Sequence, residues 1–136
     1  MQRIMSLTEI LALPSVDSDG IWADVEGAEN RTVANAVKYK KLWRPRYWRI
    51  AWQMHRDGVN TVPVHVGRAT DLRRRYEVKR PADIPPDSMM AGNGHHRIKL
   101  AMRLHHTVML VTDNIYESAG IDDHEYGCLH PGSEAA

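Results

Sequence analysis

The residues of this chain best suited to chemistry are Gly92-Asn93-Gly94-His95-His96-Arg97. Ser88-Met89-Met90-Ala91 leads into them as a short strand. From Ile98 onward, Ile98, Leu100, Ala101 and Leu104 repeat at helical spacing. A strand, a glycine turn and a helix start in that order gather backbone N–H groups that have no acceptor within the helix, at the positive end of its dipole. Phosphate is the group such a place most often holds. His95 and His96 add ring nitrogens, and Arg97 adds a planar fork that can grip a phosphate with two hydrogen bonds. The plainer reading is a connection with no ligand, since Asn-Gly is a common turn signal. Three nitrogen-rich side chains at the helix start favour the anion.

Charge distribution points the same way. The net charge is only +1, but residues 1–30 carry −5, residues 31–112 carry +12 and residues 113–136 carry −6. A basic centre between acidic ends suits a polyanionic ligand, unless the acidic ends fold back to neutralise it. Arg73-Arg74-Arg75 is the densest basic run and a candidate nucleic-acid contact. At 136 residues and 43% apolar, the chain is expected to be one globular domain. No apolar run is long enough for a membrane span, and the N-terminus lacks the secretory pattern. Cys128 is the sole cysteine, in a polar tail, so no intrachain disulfide is expected and a cytoplasmic setting is the natural one.

Several elements must hold the turn in place. Ser6-Leu7-Thr8-Glu9 has the form of a capping box, opening a helix that Pro14 stops. Residues 15–30 read as a loop from which Ile21 and Trp22 reach the core. Asn30 or Thr32 caps a second helix with Val33, Ala36 and Val37 inward. Pro45 fits the first turn of a third helix, which Gly58 closes. On it Trp48 and Trp52 stand one turn apart and so share a face. That spacing, with Trp43 nearby, favours packing in the core over a platform for stacked bases. Thr61–Val66 reads as a strand that Pro63 places at an edge or near its start. Residues 67–87 read as a long loop with a short strand around Tyr76–Lys79, and Thr107–Val111 as a buried strand.

This order resembles the ParB/sulfiredoxin-like fold. Tyr47–Gly58, Thr61–Val66, Ser88–Ala91, His95–His105 and Thr107–Val111 follow the family's succession of helix, strand, strand with glycine turn, helix and strand. The segment GNGHHRIKLAMRLHHTVMLV is similar to the family's phosphate-binding signature. The resemblance implies an α+β fold with a small mixed sheet and helices. It divides the chain into an N-terminal helical extension over 1–44, a core over 45–112 and an acidic, loosely ordered tail over 113–136. His95 stands where sulfiredoxins have their cysteine, so thiol chemistry is not expected there. The 24 residues after Thr112 are too few for the helix-turn-helix domain of chromosome-partitioning members, so a stand-alone version is implied.

The resemblance implies a nucleotide, ATP or CTP with Mg²⁺, held by Gly92, Asn93, Gly94, His95, His96 and Arg97. Serine kinases on this fold have a histidine-rich turn, which extends the expectation to phosphoryl transfer or hydrolysis. Such chemistry needs a carboxylate. Asp57, Glu77 and Asp87 are candidates by their place in the predicted order alone, and no catalytic residue is assigned. A second expectation is non-catalytic DNA binding along the basic segment. A third is a small partner-binding protein, of the kind mobile elements encode, that uses the fold as a scaffold. A histidine metal site is not expected: neighbouring histidines on a helix point about 100° apart, and no zinc-ligand spacing is present. His55, His65 and His124 read as surface or capping residues. The oligomeric state is not legible.

Overall fold

The computed structural model describes residues 1–17, 27–38, 40–42, 45–78 and 81–118. Among them, Ser6 behaves as its sequence predicts: its Oγ accepts from the Glu9 N–H at 3.1 Å and opens helix α1, Leu7–Ala12. Thr32 caps helix α2, Val33–Val37, in the same way through the Asn35 N–H at 3.3 Å. Pro45 begins helix α3, Pro45–Asp57, and Gly58 ends it at φ +79. Each helix therefore starts or stops at a residue whose chemistry favours that position.

The strands are β1 (Gln2–Ser6), β2 (Val64–Arg68), β3 (Met89–Ala91) and β4 (Val108–Thr112). They form one mixed sheet in the order β1-β4-β2-β3. β4 runs parallel to β2, with Val64 opposite Val111, and antiparallel to β1, with Gln2 opposite Thr112. β3 pairs antiparallel to β2, Val66 opposite Ala91. Pro63 immediately precedes β2, where its missing N–H costs no ladder bond. Ahead of it the buried Asn60 extends the β2–β4 pairing with a side chain. Its Nδ2 donates to Leu110 O at 2.9 Å, and its Oδ1 accepts from Leu110 N at 2.9 Å.

The short helix α4 (Ala69–Leu72) follows β2, α5 (His95–Arg103) follows β3, and α6 (Ile115–Ser118) follows β4. Helix α5 packs against α1, α2, α3 and β2. Ile10, Val33, Val37, Met54, Val64, Ile98 and Met109 are fully buried in the resulting core. A second cluster, Val16, Ala69, Leu72, Ile84 and Met90, lies beneath the segment between β2 and β3.

Four expectations need correction. The N-terminal stretch is not wholly helical, because β1 is a member of the sheet. No strand forms at Tyr76–Val78; Lys79 lies outside the described residues, and the ordered elements of this segment are α4 and a 3₁₀ turn at Pro81–Asp83. Trp48 and Trp52 are not in the core: they are 70% and 66% exposed, because Tyr47, Ile50 and Met54 form the buried face of α3. His65 is not on the surface but buried on central strand β2. Ile21, Trp22, Trp43, Cys128 and His124 lie outside the described residues, as does the tail beyond Ser118.

Candidate functional site

The predicted order of strand, turn and helix is present: β3 ends at Ala91, and α5 begins at His95 with Gly94 as its cap residue. Gly94 takes φ +111, a conformation that favours glycine, and brings no side chain to the first-turn N–H groups. A Cβ built there would lie 3.0 Å from Val64 Cγ2 and 3.3 Å from Val64 Cα. Gly92 is required for a different reason. A Cβ there would meet Tyr76 Oη at 2.7 Å and His65 Nδ1 at 2.8 Å.

Tyr76 and His65 brace the turn from behind. The Gly92 N–H donates to His65 O at 2.7 Å, and the His65 N–H donates to Asn93 O at 3.0 Å. Tyr76 Oη accepts from the Asn93 N–H at 3.2 Å and lies 2.9 Å from His65 Nδ1. Burial holds the His65 imidazole below its ordinary pKa of 6.5. The Arg75 charge acts in the same direction, and the Asp113 backbone and carboxylate oppose it without prevailing. A histidine whose pKa is lowered by folding takes up a proton more readily when unfolded. The brace is therefore fully stable above about pH 6.5 and weakens as pH falls from there through the folded value. Thermal unfolding between pH 5 and pH 8 is expected to show a falling melting temperature below about pH 6.5. A His65→Gln variant, lacking the titrating ring, is expected to lose that dependence.

His95 and His96 diverge, as neighbours on a helix must. His95 is buried, with Nε2 2.6 Å from Ser15 Oγ and Nδ1 3.6 Å from Asp17 Oδ2. Lys40 Nζ reaches the same Asp17 oxygen at 2.8 Å. Burial raises the Asp17 carboxyl, but the charges of His95, Lys40 and His96 outweigh it and hold the group below the usual carboxylate range. Serine, histidine and carboxylate stand here in a chain, yet Ser15 is 1% exposed and also engages the Asp17 N–H at 2.9 Å and the Asp17 carbonyl at 3.0 Å. Ser15 therefore positions His95 and is not presented as a nucleophile. His96, half-buried, stacks on Tyr47 at 4.9 Å between centroids. Lys99, one turn into α5, donates to Lys40 O at 2.6 Å and Lys38 O at 3.3 Å. It fastens the segment carrying Lys40 to the helix.

Arg97 departs from its expected part. It is 3% exposed and turned away from the turn. Its Nη1 donates to Val62 O at 2.7 Å and Pro63 O at 2.9 Å, and its Nη2 donates to Ser118 O at 2.9 Å. The fork grips main-chain carbonyls that lead into β2 and end α6. Arg73 is similarly committed: its Nη2 donates to Pro81 O at 2.7 Å and to Ile84 O, holding the segment before β3. Arg74 is exposed, and Arg75 lies over the Tyr116 ring at 5.6 Å. Because Tyr76 is bonded to the turn, Arg75 and Arg74 sit one and two residues from its edge.

The three proposed carboxylates are not brought to the turn. Asp57 closes α3 beside Arg56, at 3.0 Å, and Gln53, at 2.9 Å. Glu77 and Asp87 are exposed, with no hydrogen bond to the turn among the described residues. Asp17 is the acid that the fold delivers, and the sequence reading passed over it. No spacing rule joins it to a motif 78 positions away. Its signal in the sequence is the turn-forming run Asp17-Ser18-Asp19-Gly20, whose first acid could be read as a cap waiting for a basic partner. No group of three His, Cys, Asp or Glu that could hold a metal ion occurs among the described residues. No described helix is long and apolar enough to cross a membrane.

Compared with known proteins, the chain matches no family model, no curated protein and no solved structure.

Proposed function

We propose that this protein is a ParB-like, phosphate-binding domain that takes a nucleotide at the Gly92–His96 turn. The carrying observation is the start of α5, where Gly94 at φ +111 stands between a strand end and two histidines and contributes no capping side chain of its own. A helix start of this form favours an anion through its dipole and first-turn N–H groups. His96 and Lys40 supply nearby nitrogen donors, and Arg74 and Arg75 add charge at the rim. Arg97 supports the turn from beneath and does not contact the ligand.

ATP or CTP with Mg²⁺ is the ligand proposed. In phosphoryl-transfer sites the metal is shared between phosphate oxygens and a protein carboxylate. Asp17 is the carboxylate that fits this part, ahead of Asp57, Glu77 and Asp87. Its low pKa keeps it ionised at neutral pH. Any turnover, hydrolytic or to an acceptor, is proposed to depend on it.

Titration calorimetry of the whole chain with ATP and CTP, with and without Mg²⁺, tests the reading. Saturable binding of at least one nucleotide is expected. His96→Phe, which keeps a ring stacked on Tyr47 but has no nitrogen donor, is expected to weaken it about tenfold or more, the worth of a hydrogen bond to a charged group. Absence of binding to either nucleotide at low salt would overturn the proposal.

A further inference from the structure

The outward face of α3 is built of two indoles and little else apolar. Trp48 and Trp52 lie one turn apart, about 6 Å along the axis, and expose 70% and 66% of their surface. The helix does not need them for packing, since Tyr47, Ile50 and Met54 already fill its buried side. Arg49 and Arg56 border the pair on one flank and His55 on the other, all exposed. His55 lies against Trp52 at 6.2 Å between centroids. The only acid on the helix, Asp57, sits at its last position and is bonded to Arg56 and Gln53.

We infer that this face binds single-stranded nucleic acid, with successive bases stacked on Trp48 and Trp52 and the backbone alongside Arg49 and Arg56. Charge selects the occupant. The face is cationic within a segment of net +12, so a second copy of the chain would bring like charges together. A polyanion is attracted, and among polyanions only an unpaired strand offers flat apolar faces to two aromatic rings at that spacing. A duplex keeps its bases stacked on one another. The aromatic platform with a basic border is the recurring device of single-strand binding, tolerant of sequence because every base has a π-face. The inference stands apart from the nucleotide site, which lies at the start of α5.

Fluorescence anisotropy with labelled twelve-residue thymidine and uridine strands, and a duplex of equal length, tests it on the full chain. Binding to at least one single strand is expected at low salt, weakening as salt rises; the two strands tell DNA from RNA. The W48A/W52A double variant is expected to weaken that binding about tenfold or more and to keep the wild-type melting temperature. W48F/W52F is expected to retain most of it. Equal affinity of wild type and W48A/W52A, or no single-strand binding at low salt, would overturn the inference. So would a dimer in sedimentation that the double variant turns into a monomer, which would make the face a contact between copies. Loss of single-strand binding with nucleotide binding intact in W48A/W52A separates this site from the glycine turn.

Discussion

Replacing Arg97 with Leu is expected to remove more stability than any other single change around the turn. The guanidinium is buried and satisfies the carbonyls of Val62, Pro63 and Ser118. A buried acceptor left without a donor costs about 1–3 kcal/mol. Asn60 Nδ2 still donates to the Val62 carbonyl at 2.8 Å, so the carbonyls of Pro63 and Ser118 are the two that lose their donor, and a loss of roughly 3 kcal/mol or more is the expected result. Arg97→Lys should recover little, since one ammonium cannot reproduce a fork that reaches two elements. Urea unfolding of the three proteins measures this directly. A midpoint for Arg97→Leu close to wild type would show that the fork is not holding the ends of β2 and α6. The same result bears on ligand binding: lost affinity in an Arg97 variant reports a distorted turn, so it is no evidence for a contact to phosphate.

The second large effect is expected at Gly94. Any side chain there is strained by φ +111, and its Cβ is also pressed against Val64 on the central strand. A non-glycine residue held in such a conformation costs about 1–3 kcal/mol, and a branched one has the added contact. Gly94→Val is therefore expected to lose about 3 kcal/mol and, on the proposed reading, all measurable nucleotide binding. Gly58→Val is the control. That glycine has φ +79 but nothing within 4 Å of a built Cβ, so it carries the conformational cost without the clash. Equal losses at the two positions would mean that the approach of Val64 is not what demands glycine in the turn.

Legibility in the sequence followed the range of the interactions. Ser6, Thr32, Pro45 and Gly58 act on residues within one helical turn of themselves, and each was readable. The strand, glycine turn and helix at Met89–Arg103 were readable for the same reason. β1 was not: only Met5 of its five residues is buried, and it is a strand because β4, more than a hundred positions later, pairs with it. α4 has four residues, too few for any period to show. The spacing of Trp48 and Trp52 established that they share a face but could not tell which face. That was decided by Tyr47, Ile50 and Met54. In the site, residue types revealed the cations but not their direction. His96 and Arg97 are adjacent in sequence, yet one stacks on Tyr47 near the turn while the other reaches beneath it. Ser15, Asp17 and Lys40 join His95 only in three dimensions.

The order of the sheet sets a timetable for its assembly. β1 is synthesised first, yet its partner in the sheet is the last strand of the four. Until residue 112 has left the ribosome, the opening segment has no ladder to join and must wait with Met5 unprotected. Closing so long a loop is slow. A pulse-labelling experiment during refolding should therefore find the amides of β1 and β4 protected together, after those of α5.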